Sequence, residues 1–572
     1  MKRAGPIARR WPLVAIVVCF ACARATVHET PGPAAYPRTR PELTSYRETS
    51  RYSDVRHFLD SLRVLHAPLA FGSIGKTNEG RDIPYVIASR PLVSTPAAAK
   101  ALGRPIVYVQ GNIHAGEVEG KDALLALLRD LSFSPTPNAL DSIVLIAVPI
   151  YNADGNERFA PQSVNRTEQN GPESVGTRAN AQNLDLNRDY VKAEAPETRA
   201  SLAMFNAWDP DVFVDLHTTD GSFHGYALTY SPSLSPAAVF GGVYARDSLL
   251  PLLRERMRVR DRFEIFDYGN FVSDEPGLVR DTTVHEAWAT YDSRPRFGTN
   301  YYGIRGRIAI LSEAFSHDSL ARRIASTRAF VNEILSLVAE KGGAIRSLSA
   351  RADSLPLAWG RSPDSLQMVA IRSELIATPR MMDVLKEDLE KTGDSSLTQP
   401  GVPRGERRTG RVHAVRMPVY DRFMSTLDRT PPAAYVVAPQ DTGIARLLRL
   451  HGIRVERSDS AWTARGEGYV VDSIITSPRQ FQGHHEVRLK GHWQRGVQAL
   501  APRSFIVSTA QPLGALAVYL LEPESDDGFT TWNLFDRDLK TGGRFPVTRI
   551  FDLSRRGRSA NRRSSASSAQ PQ

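Results

Sequence analysis

The chain has 572 residues, 41% of them hydrophobic, which is enough apolar material for two or three packed domains and excludes a wholly disordered protein. Its formal net charge is +10, but residues 1–25 and residues 554–572 each carry five basic side chains and no acidic one, so the chain between them is neutral. This distribution does not support a basic nucleic-acid-binding surface on the folded body, and we expect no nucleic-acid partner.

The N-terminus, 1–25, has the pattern of a secretory signal peptide. Four basic residues within the first ten precede an apolar stretch, followed by small residues that suit cleavage after Ala23 or Ala25. The apolar stretch is too short to span a bilayer, and no later segment is long and apolar enough, so we expect no transmembrane segment in the mature chain. We therefore predict an exported protein, periplasmic or extracellular, with a lipoprotein anchored through Cys22 as the alternative.

Residues 26–45 are predicted to be a linker, because proline and threonine are frequent there. From 46 to 345, apolar strand-like runs alternate with segments of helical periodicity, which is typical of an α/β domain. The predicted strands are 104–110, 142–149, 211–216 and 307–311, and the predicted helices are 118–131, 196–208 and 321–340.

A second region, 350–553, begins with helical periodicity and becomes strand-rich and polar after the segment 399–410, which is rich in Pro, Gly and Arg. Residues 434–456 are predicted to form a small β-α-β unit. We expect this region to be a C-terminal accessory domain of mixed, strand-rich structure. The final segment, 554–572, is rich in Ser and Arg and is predicted to be a disordered basic tail.

A pair of metal-binding side chains, His114 and Glu117, is predicted where the first predicted strand, 104–110, leads into the helix 118–131. Imidazole and carboxylate are a donor set for zinc, and the two side chains, three residues apart, could reach one ion. On its own, the pair equally fits a helix N-terminus with an acidic residue in its first turn. His217 sits at the end of the strand whose apolar run is 211–216, and ligands of open α/β sheets bind where strands end. It is therefore the candidate third ligand.

Further polar residues stand at positions typical of a site. Glu313 follows the strand 307–311, where burying a glutamate is costly unless the side chain is paired or functional. Asn187 and Arg188 offer an amide and a planar guanidinium, which suit a carboxylate. Asp185 could orient an imidazole bound to zinc, and Arg178 lies nearby. Taken alone, this stretch fits a polar loop with surface ion pairs better than a binding site.

The chain resembles the zinc metallocarboxypeptidases of the carboxypeptidase A type in five features and in their order. These are the H-x-x-E pair, the arginine, the D-x-N-R run, the later histidine and the late glutamate. The segment 73–83 resembles that family's usual opening before its first metal-binding strand. Residues 151–155 resemble its N-P-D-G turn, with Ala153 in place of the proline. The resemblance covers about residues 45–345 and implies a three-layer α/β/α domain with a mixed central sheet.

The resemblance also implies a ligand set for one Zn²⁺ per chain. By this resemblance His114, Glu117 and His217 hold the ion and leave one position open for water. Asp185 would orient a ligand imidazole from behind. Independently of the resemblance, the strand-rich, polar character of the accessory region fits a domain that positions substrate or packs beside the cleft.

The remaining roles implied by the resemblance concern catalysis and substrate. Glu313 would be the general base for the water, and Arg178 would stabilise the oxyanion. Asn187 and Arg188 would bind the free C-terminal carboxylate of a peptide substrate. The chain is thus predicted to be an exported zinc-dependent metallocarboxypeptidase that hydrolyses the C-terminal peptide bond.

Some assignments stay open at the level of sequence. The family's substrate-side tyrosine could be Tyr291, Tyr301 or Tyr302, so the preferred side chain at the cleaved residue is not predicted. The run 484–486, His-His-Glu, is predicted to be a solvated strand, because adjacent strand residues point to opposite faces. Two other functions remain: a zinc amide hydrolase acting on cell-wall peptides or acyl-amino acids, and a non-catalytic binding protein on the same fold.

Overall fold

The computed structural model describes residues 36–134, 137–279, 281–359, 367–376 and 381–553, together with Met1. The predicted signal peptide with Cys22, the linker as far as residue 35 and the basic tail 554–572 lie outside the described residues, apart from Met1. In the part of the chain that the structure describes, none of the helices combines the length and apolar character needed to cross a membrane.

The strands, in chain order, are β1 (Leu69–Lys76), β2 (Asp82–Ala88), β3 (Ile106–Gly111), β4 (Val144–Val148), β5 (Ala160–Pro161), β6 (Ser174–Val175), β7 (Val212–Thr218), β8 (Leu228–Pro232), β9 (Ile265–Asp267), β10 (Asn270–Phe271), β11 (Trp288–Ala289), β12 (Ile308–Ala314), β13 (Val369–Ile376), β14 (Met381–Lys391), β15 (Glu406–Tyr420), β16 (Arg422–Arg429), β17 (Ala434–Val437), β18 (Glu456–Arg457), β19 (Trp462–Phe481), β20 (His484–Leu500), β21 (Phe505–Ser508) and β22 (Arg544–Ile550). The α-helices are α1 (Arg40–Leu43), α2 (Tyr52–Val64), α3 (Pro96–Ala101), α4 (Glu119–Phe133), α5 (Ala153–Glu157), α6 (Gln162–Asn165), α7 (Pro196–Trp208), α8 (Gly241–Tyr244), α9 (Leu250–Arg256), α10 (Gly298–Ile304), α11 (Leu320–Glu340), α12 (Gly342–Trp359), α13 (Thr442–Leu450) and α14 (Gly514–Leu521).

An eight-stranded sheet in the order β1-β2-β4-β3-β7-β12-β8-β9 lies at the centre of the first region. The four strands predicted from sequence are β4, β3, β7 and β12, which are adjacent and mutually parallel. Antiparallel pairing of β1, β2 and β8 makes the sheet mixed, as predicted. Because the four central strands are parallel, their carboxyl ends meet at one edge of the sheet.

Helices cover both faces of this sheet, which confirms the predicted three-layer α/β/α architecture. On β3, Val107 and Val109 belong to a buried cluster with residues of α2, α4, α9 and α11. Tyr108, between them, points to the opposite face and packs against Phe205 of α7, with ring centroids 6.1 Å apart. Alternate residues of a strand face opposite layers, and both layers here are apolar, which explains the continuous hydrophobic run.

Two of the central strands extend further than their apolar runs indicate. β12 continues through Ala314, so Glu313 lies within the strand and does not follow it. β7 includes His217, as predicted, and continues through Thr218. Backbone pairing is independent of side-chain polarity, so the two strands stay in register past the last apolar residue, and Glu313 lies directly opposite His217.

The second region is strand-rich, as predicted, and is built from several sheets. Its largest sheet has the order β18-β21-β17-β22-β19-β20. The predicted unit 434–456 forms β17, α13 and β18, but β21 lies between its two strands. The hairpin of β14 and β15 pairs with the first region, since β15 runs parallel to β11. Residues 346–349, between the two predicted domains, lie within α12.

The two regions also share a buried core, in which His451 is fully enclosed. The Tyr301 hydroxyl donates to His451 Nδ1 over 2.7 Å, and His451 Nε2 donates to the Val191 carbonyl over 3.0 Å. Burial, with a contribution from Arg305, lowers the pKa of His451 from 6.5 to about 3. The imidazole is therefore neutral in the folded protein down to about pH 4, while the unfolded chain binds a proton below pH 6.5.

This difference predicts a loss of stability in mild acid. Between pH 6.5 and pH 5, proton uptake by the unfolded chain at His451 lowers the free energy of unfolding by about 2 kcal/mol. His451→Gln keeps an acceptor and a donor but does not titrate, so it should flatten the dependence of unfolding free energy on pH in urea titrations at pH 5 and pH 7. The exposed His485→Gln is the matched control. Equal slopes for all three proteins would contradict this assignment.

Candidate active site

Three potential metal ligands converge at the edge where the central strands end. His114 and Glu117 lie in the loop between β3 and α4, and His217 lies near the end of β7. The loop is tightly packed at Gly116, where a Cβ would lie 3.0 Å from the Gly176 carbonyl oxygen. Donor atoms of the three side chains lie within 4.8 Å of one another, and each residue is 3% exposed.

The geometry identifies which atoms face a common point. His114 Nδ1 lies 2.9 Å from Glu117 Oε1, and His217 Nδ1 lies 2.9 Å from Glu117 Oε2. The two Nδ1 atoms are 3.2 Å apart. Two imidazole nitrogens and a carboxylate, converging beside an open cleft, match the three protein ligands of a catalytic zinc site. The residues present therefore fit the ion that the donor set implies.

Carboxylates behind the two imidazoles orient them. Asp185, predicted in this role, has Oδ1 2.9 Å from His114 Nε2. Asp215 has Oδ2 3.1 Å from His217 Nε2, a partner that the sequence analysis missed. A carboxylate at Nε2 favours the tautomer with its proton there, which leaves the Nδ1 lone pair for a metal. The i, i+2 spacing of Asp215 and His217 on one strand is the signal that could have found it.

Two arginines neutralise Glu117. Arg166 Nη1 donates to Glu117 Oε1 over 3.3 Å, and Arg178 Nη1 donates to the same atom over 3.2 Å. Burial opposes ionisation, but His114 and Arg166 hold the pKa of Glu117 well below its ordinary value. Arg166 was missed because it lies in a loop without a recognisable pattern. Its guanidinium is fixed by the carbonyls of Thr218 and Thr219. Glu117 is therefore ionised, as a metal ligand must be.

Arg178, Asn187 and Arg188 all line the same cleft. Arg178 Nε donates to Asp185 Oδ2 over 3.0 Å, and the side chain remains 38% exposed, so other N–H groups face the cleft. Arg188 lies over the ring of Phe297, 4.0 Å from its centroid. The structure thus brings together the predicted oxyanion and carboxylate-binding residues with the three metal-ligand candidates.

Glu313 also lines the cleft, on the strand next to His217. Opposed residues of adjacent strands have side chains on the same face, so its carboxylate borders the candidate metal site. Burial, with the negative charges of Glu117 and Asp220, raises the pKa of Glu313 well above its ordinary value, against the effect of His217. The group is thus held in a setting that favours accepting a proton.

The structure distinguishes the three tyrosines that the sequence left open. Tyr291 lines the cleft, and its hydroxyl is buried without a hydrogen-bond partner among the described residues. Tyr301 and Tyr302 lie in the shared core. The Tyr301 hydroxyl contacts His451, and the Tyr302 ring stacks on Phe205 with centroids 3.9 Å apart. Tyr291 is therefore the candidate for a substrate contact.

The cleft has a volume of about 580 Å³ and is bordered by both regions of the chain. From β13 and β16 of the second region, four residues line it: Ser373, Glu374, Leu375 and Phe423. Ser373 Oγ lies 2.8 Å from Ser293 Oγ, which joins β13 to the loop that carries Tyr291. The second region therefore forms part of the cleft wall.

The histidine pair at 484–485 does not join in a metal site. His484 Nε2 lies 3.0 Å from Glu194 Oε1, while Glu486 Oε1 accepts from Arg296 over 2.7 Å. His485 is exposed. The three side chains have separate surroundings, as expected for adjacent residues of a strand.

Parts of this chain are similar to known carboxypeptidases. Residues 55–238 match the sequence model of a family described as zinc carboxypeptidase. Carboxypeptidase 2 of Trichophyton rubrum is 22% identical over 527 residues, which cover 88% of this chain and 86% of the fungal protein. Carboxypeptidase D of Mus musculus is 28% identical over 211 residues, covering 33% of this chain and 14% of the mouse protein. A metallo-carboxypeptidase from Pseudomonas aeruginosa, solved with (2-guanidinoethylmercapto)succinic acid, has a TM-score of 0.37 at 19% identity, covering 52% of this chain and 70% of that one.

Proposed function

We propose that this chain, whose residues 55–238 match the zinc carboxypeptidase family model, is an exported metallocarboxypeptidase that hydrolyses the C-terminal peptide bond of peptides. The observation that carries the proposal is the convergence of the His/Glu/His group, Glu313 and a carboxylate-binding pair in one cleft. Export rests on the signal-peptide pattern of residues 1–25.

His114, Glu117 and His217 would hold the zinc ion, one per chain. When bound, zinc lowers the pKa of a water ligand towards about 7 and polarises a carbonyl group. The chain's own contribution is an ionised carboxylate and two imidazoles whose tautomers are set by Asp185 and Asp215. The open side of this group faces the cleft, where substrate and water enter.

Glu313 and Arg178 would perform the proton transfer and the charge stabilisation. Glu313 accepts a proton from the attacking water and later delivers it to the leaving amine, which requires a carboxylate of raised basicity beside the metal group. Arg178 directs N–H groups into the cleft at the position where negative charge develops on the carbonyl oxygen. Asp185 fixes the direction of the guanidinium.

Asn187 and Arg188 would bind the C-terminal carboxylate. The Asn187 side-chain oxygen accepts from the Gly298 N–H over 2.9 Å, which directs its amide nitrogen toward the site. Arg188 lies over the Phe297 ring, and this contact limits the directions in which its planar N–H groups can point. A free carboxylate offers two acceptors to this pair, whereas a terminal amide does not match it.

The test compares a peptide with a free C-terminus and the same peptide with an amidated C-terminus, together with zinc counted per chain. We expect one zinc per chain and removal of the last residue from the free acid only. Arg188→Gln should lower kcat/KM for the free acid by about 10- to 100-fold, the effect of losing a charged hydrogen-bond pair. The exposed Arg488→Gln is the matched control and should leave kcat/KM unchanged.

Three other outcomes would change the assignment. One zinc per chain with neither peptide cleaved would favour an amide hydrolase acting on cell-wall peptides or acyl-amino acids. A protein that binds no zinc would contradict the ligand set itself. Zinc binding without hydrolysis of any of these substrates would favour a non-catalytic binding protein.

A further inference from the structure

The tip of a long hairpin from the second region lies on the loop that carries Asp185. Strands β19 and β20 pair along most of their length, and Phe481 pairs with His484, so Gln482 and Gly483 form a two-residue turn. At this tip, Gln482 Oε1 accepts from the backbone N–H of Asp185 over 2.8 Å. The hairpin therefore reaches the candidate zinc site from nearly 300 residues away in the chain.

Asp185 is the residue through which this contact would act, because its carboxylate holds several site groups at once. Oδ1 lies 2.9 Å from His114 Nε2 and accepts from the Asn187 N–H over 2.9 Å. Oδ2 accepts from Arg178 Nε over 3.0 Å. A shift of the Asp185 backbone would therefore move a metal-ligand candidate, the oxyanion arginine and the carboxylate-binding turn together.

A second contact holds the same hairpin tip in place. His484 Nε2 lies 3.0 Å from Glu194 Oε1, and Glu194 in turn pairs with the buried Lys192 at 3.2 Å. His484 Nδ1 lies 3.0 Å from Asn533 Oδ1. With the tip fixed in this way, the Gln482 amide is presented to Asp185 with little freedom to move.

We propose that Gln482 is a positioning residue, through which the second region holds Asp185, and thereby His114 and Arg178, in the geometry that binds zinc and catalyses hydrolysis. The proposal rests on the proposed function of the site. The backbone N–H of Asp185 is a donor in a buried residue, and such a group needs a partner. Gln482 supplies that partner from outside the family-matched segment, 55–238.

The backbone of the turn allows a substitution that removes the contact without straining the hairpin. Gln482 and Gly483 have φ angles of 51° and 82°, the combination that Asn-Gly adopts readily in two-residue turns. Gln482→Asn therefore suits the turn while shortening the side chain by one methylene. Gln482→Gly suits the same φ angle and removes the side chain altogether.

We expect both variants to release zinc to excess EDTA about ten-fold faster than the wild type, the scale seen when a partner behind a metal ligand is lost. Their kcat for a free-acid peptide should fall by a similar factor. The midpoint of thermal unfolding of the metal-free protein should fall by a few degrees at most, because one hydrogen bond is lost while the turn itself is not strained. Asp185→Asn is the positive control, since it weakens the carboxylate behind His114 directly.

Gln494→Asn is the matched control, because it makes the same shortening at an exposed position of the same hairpin. Zinc release at the wild-type rate from both Gln482 variants would overturn the proposal. That result is distinguishable from failure of the proposed function, in which the wild type itself would not bind zinc or would leave the free-acid peptide intact.

Discussion

Glu313→Gln is expected to lower kcat for a free-acid peptide by about 10³-fold, within the range for removal of a general base. The amide has nearly the same shape as the carboxylate but does not accept the proton of the attacking water. Zinc content should stay at one per chain, because the three metal-ligand candidates do not include Glu313. Zinc is to be counted and kcat measured on the same preparation, so that loss of metal and loss of catalysis are separated.

The matched control is Glu340→Gln, a surface glutamate paired with Arg256 away from the cleft, which should keep wild-type kcat. A Glu313→Gln protein with more than a tenth of the wild-type kcat would remove Glu313 from the role of general base. Loss of zinc in that variant would instead indicate that the side chain supports metal binding.

A chain that ends at residue 359 is expected not to fold, even though it contains every predicted metal-ligand and catalytic residue. The truncation keeps α12 intact but removes β13 to β22, α13 and α14. It uncovers the shared core, including Tyr301 against His451, and removes β15, which pairs with β11. Each large apolar side chain exposed in this way costs about 1.5–3 kcal/mol, and a domain is stable by only about 5–15 kcal/mol.

Soluble yield, cooperative thermal unfolding and peptide hydrolysis are the measurements for this truncated chain. A chain that ends at residue 553 is the control, because it loses only the predicted basic tail. That control should unfold cooperatively and keep wild-type activity. A monomeric 359-residue protein with a cooperative transition and carboxypeptidase activity would show that the second region is dispensable, and would also contradict the role proposed for Gln482.

Local pattern is enough to predict much of the fold. The strands β3, β4, β7 and β12 were predicted because their apolar runs are continuous, which is typical of parallel strands buried on both faces. Helices α4, α7 and α11 were predicted within a few residues from periodicity alone. The ends of β7 and β12 were placed too early, because pairing with neighbouring strands continues after the apolar residues stop.

The sequence by itself determined the candidate ligand set and the family resemblance, because residue type, order and position at strand ends are local properties. His114, Glu117 and His217 could be named without coordinates. Asp215 could also have been found, from its spacing to His217 on one strand.

Only the tertiary structure identified Arg166, Tyr291 and Gln482 as neighbours of the site. Arg166 approaches Glu117 through a loop whose course no periodicity describes. Tyr291 lines the cleft from the loop after β11, whereas Tyr301 lies in α10 and contacts His451 in the shared core. Gln482 reaches Asp185 across 297 residues of chain. Such contacts depend on the way in which long hairpins and loops pack against the completed sheet. That packing is determined by the apolar surface that the two regions bury together.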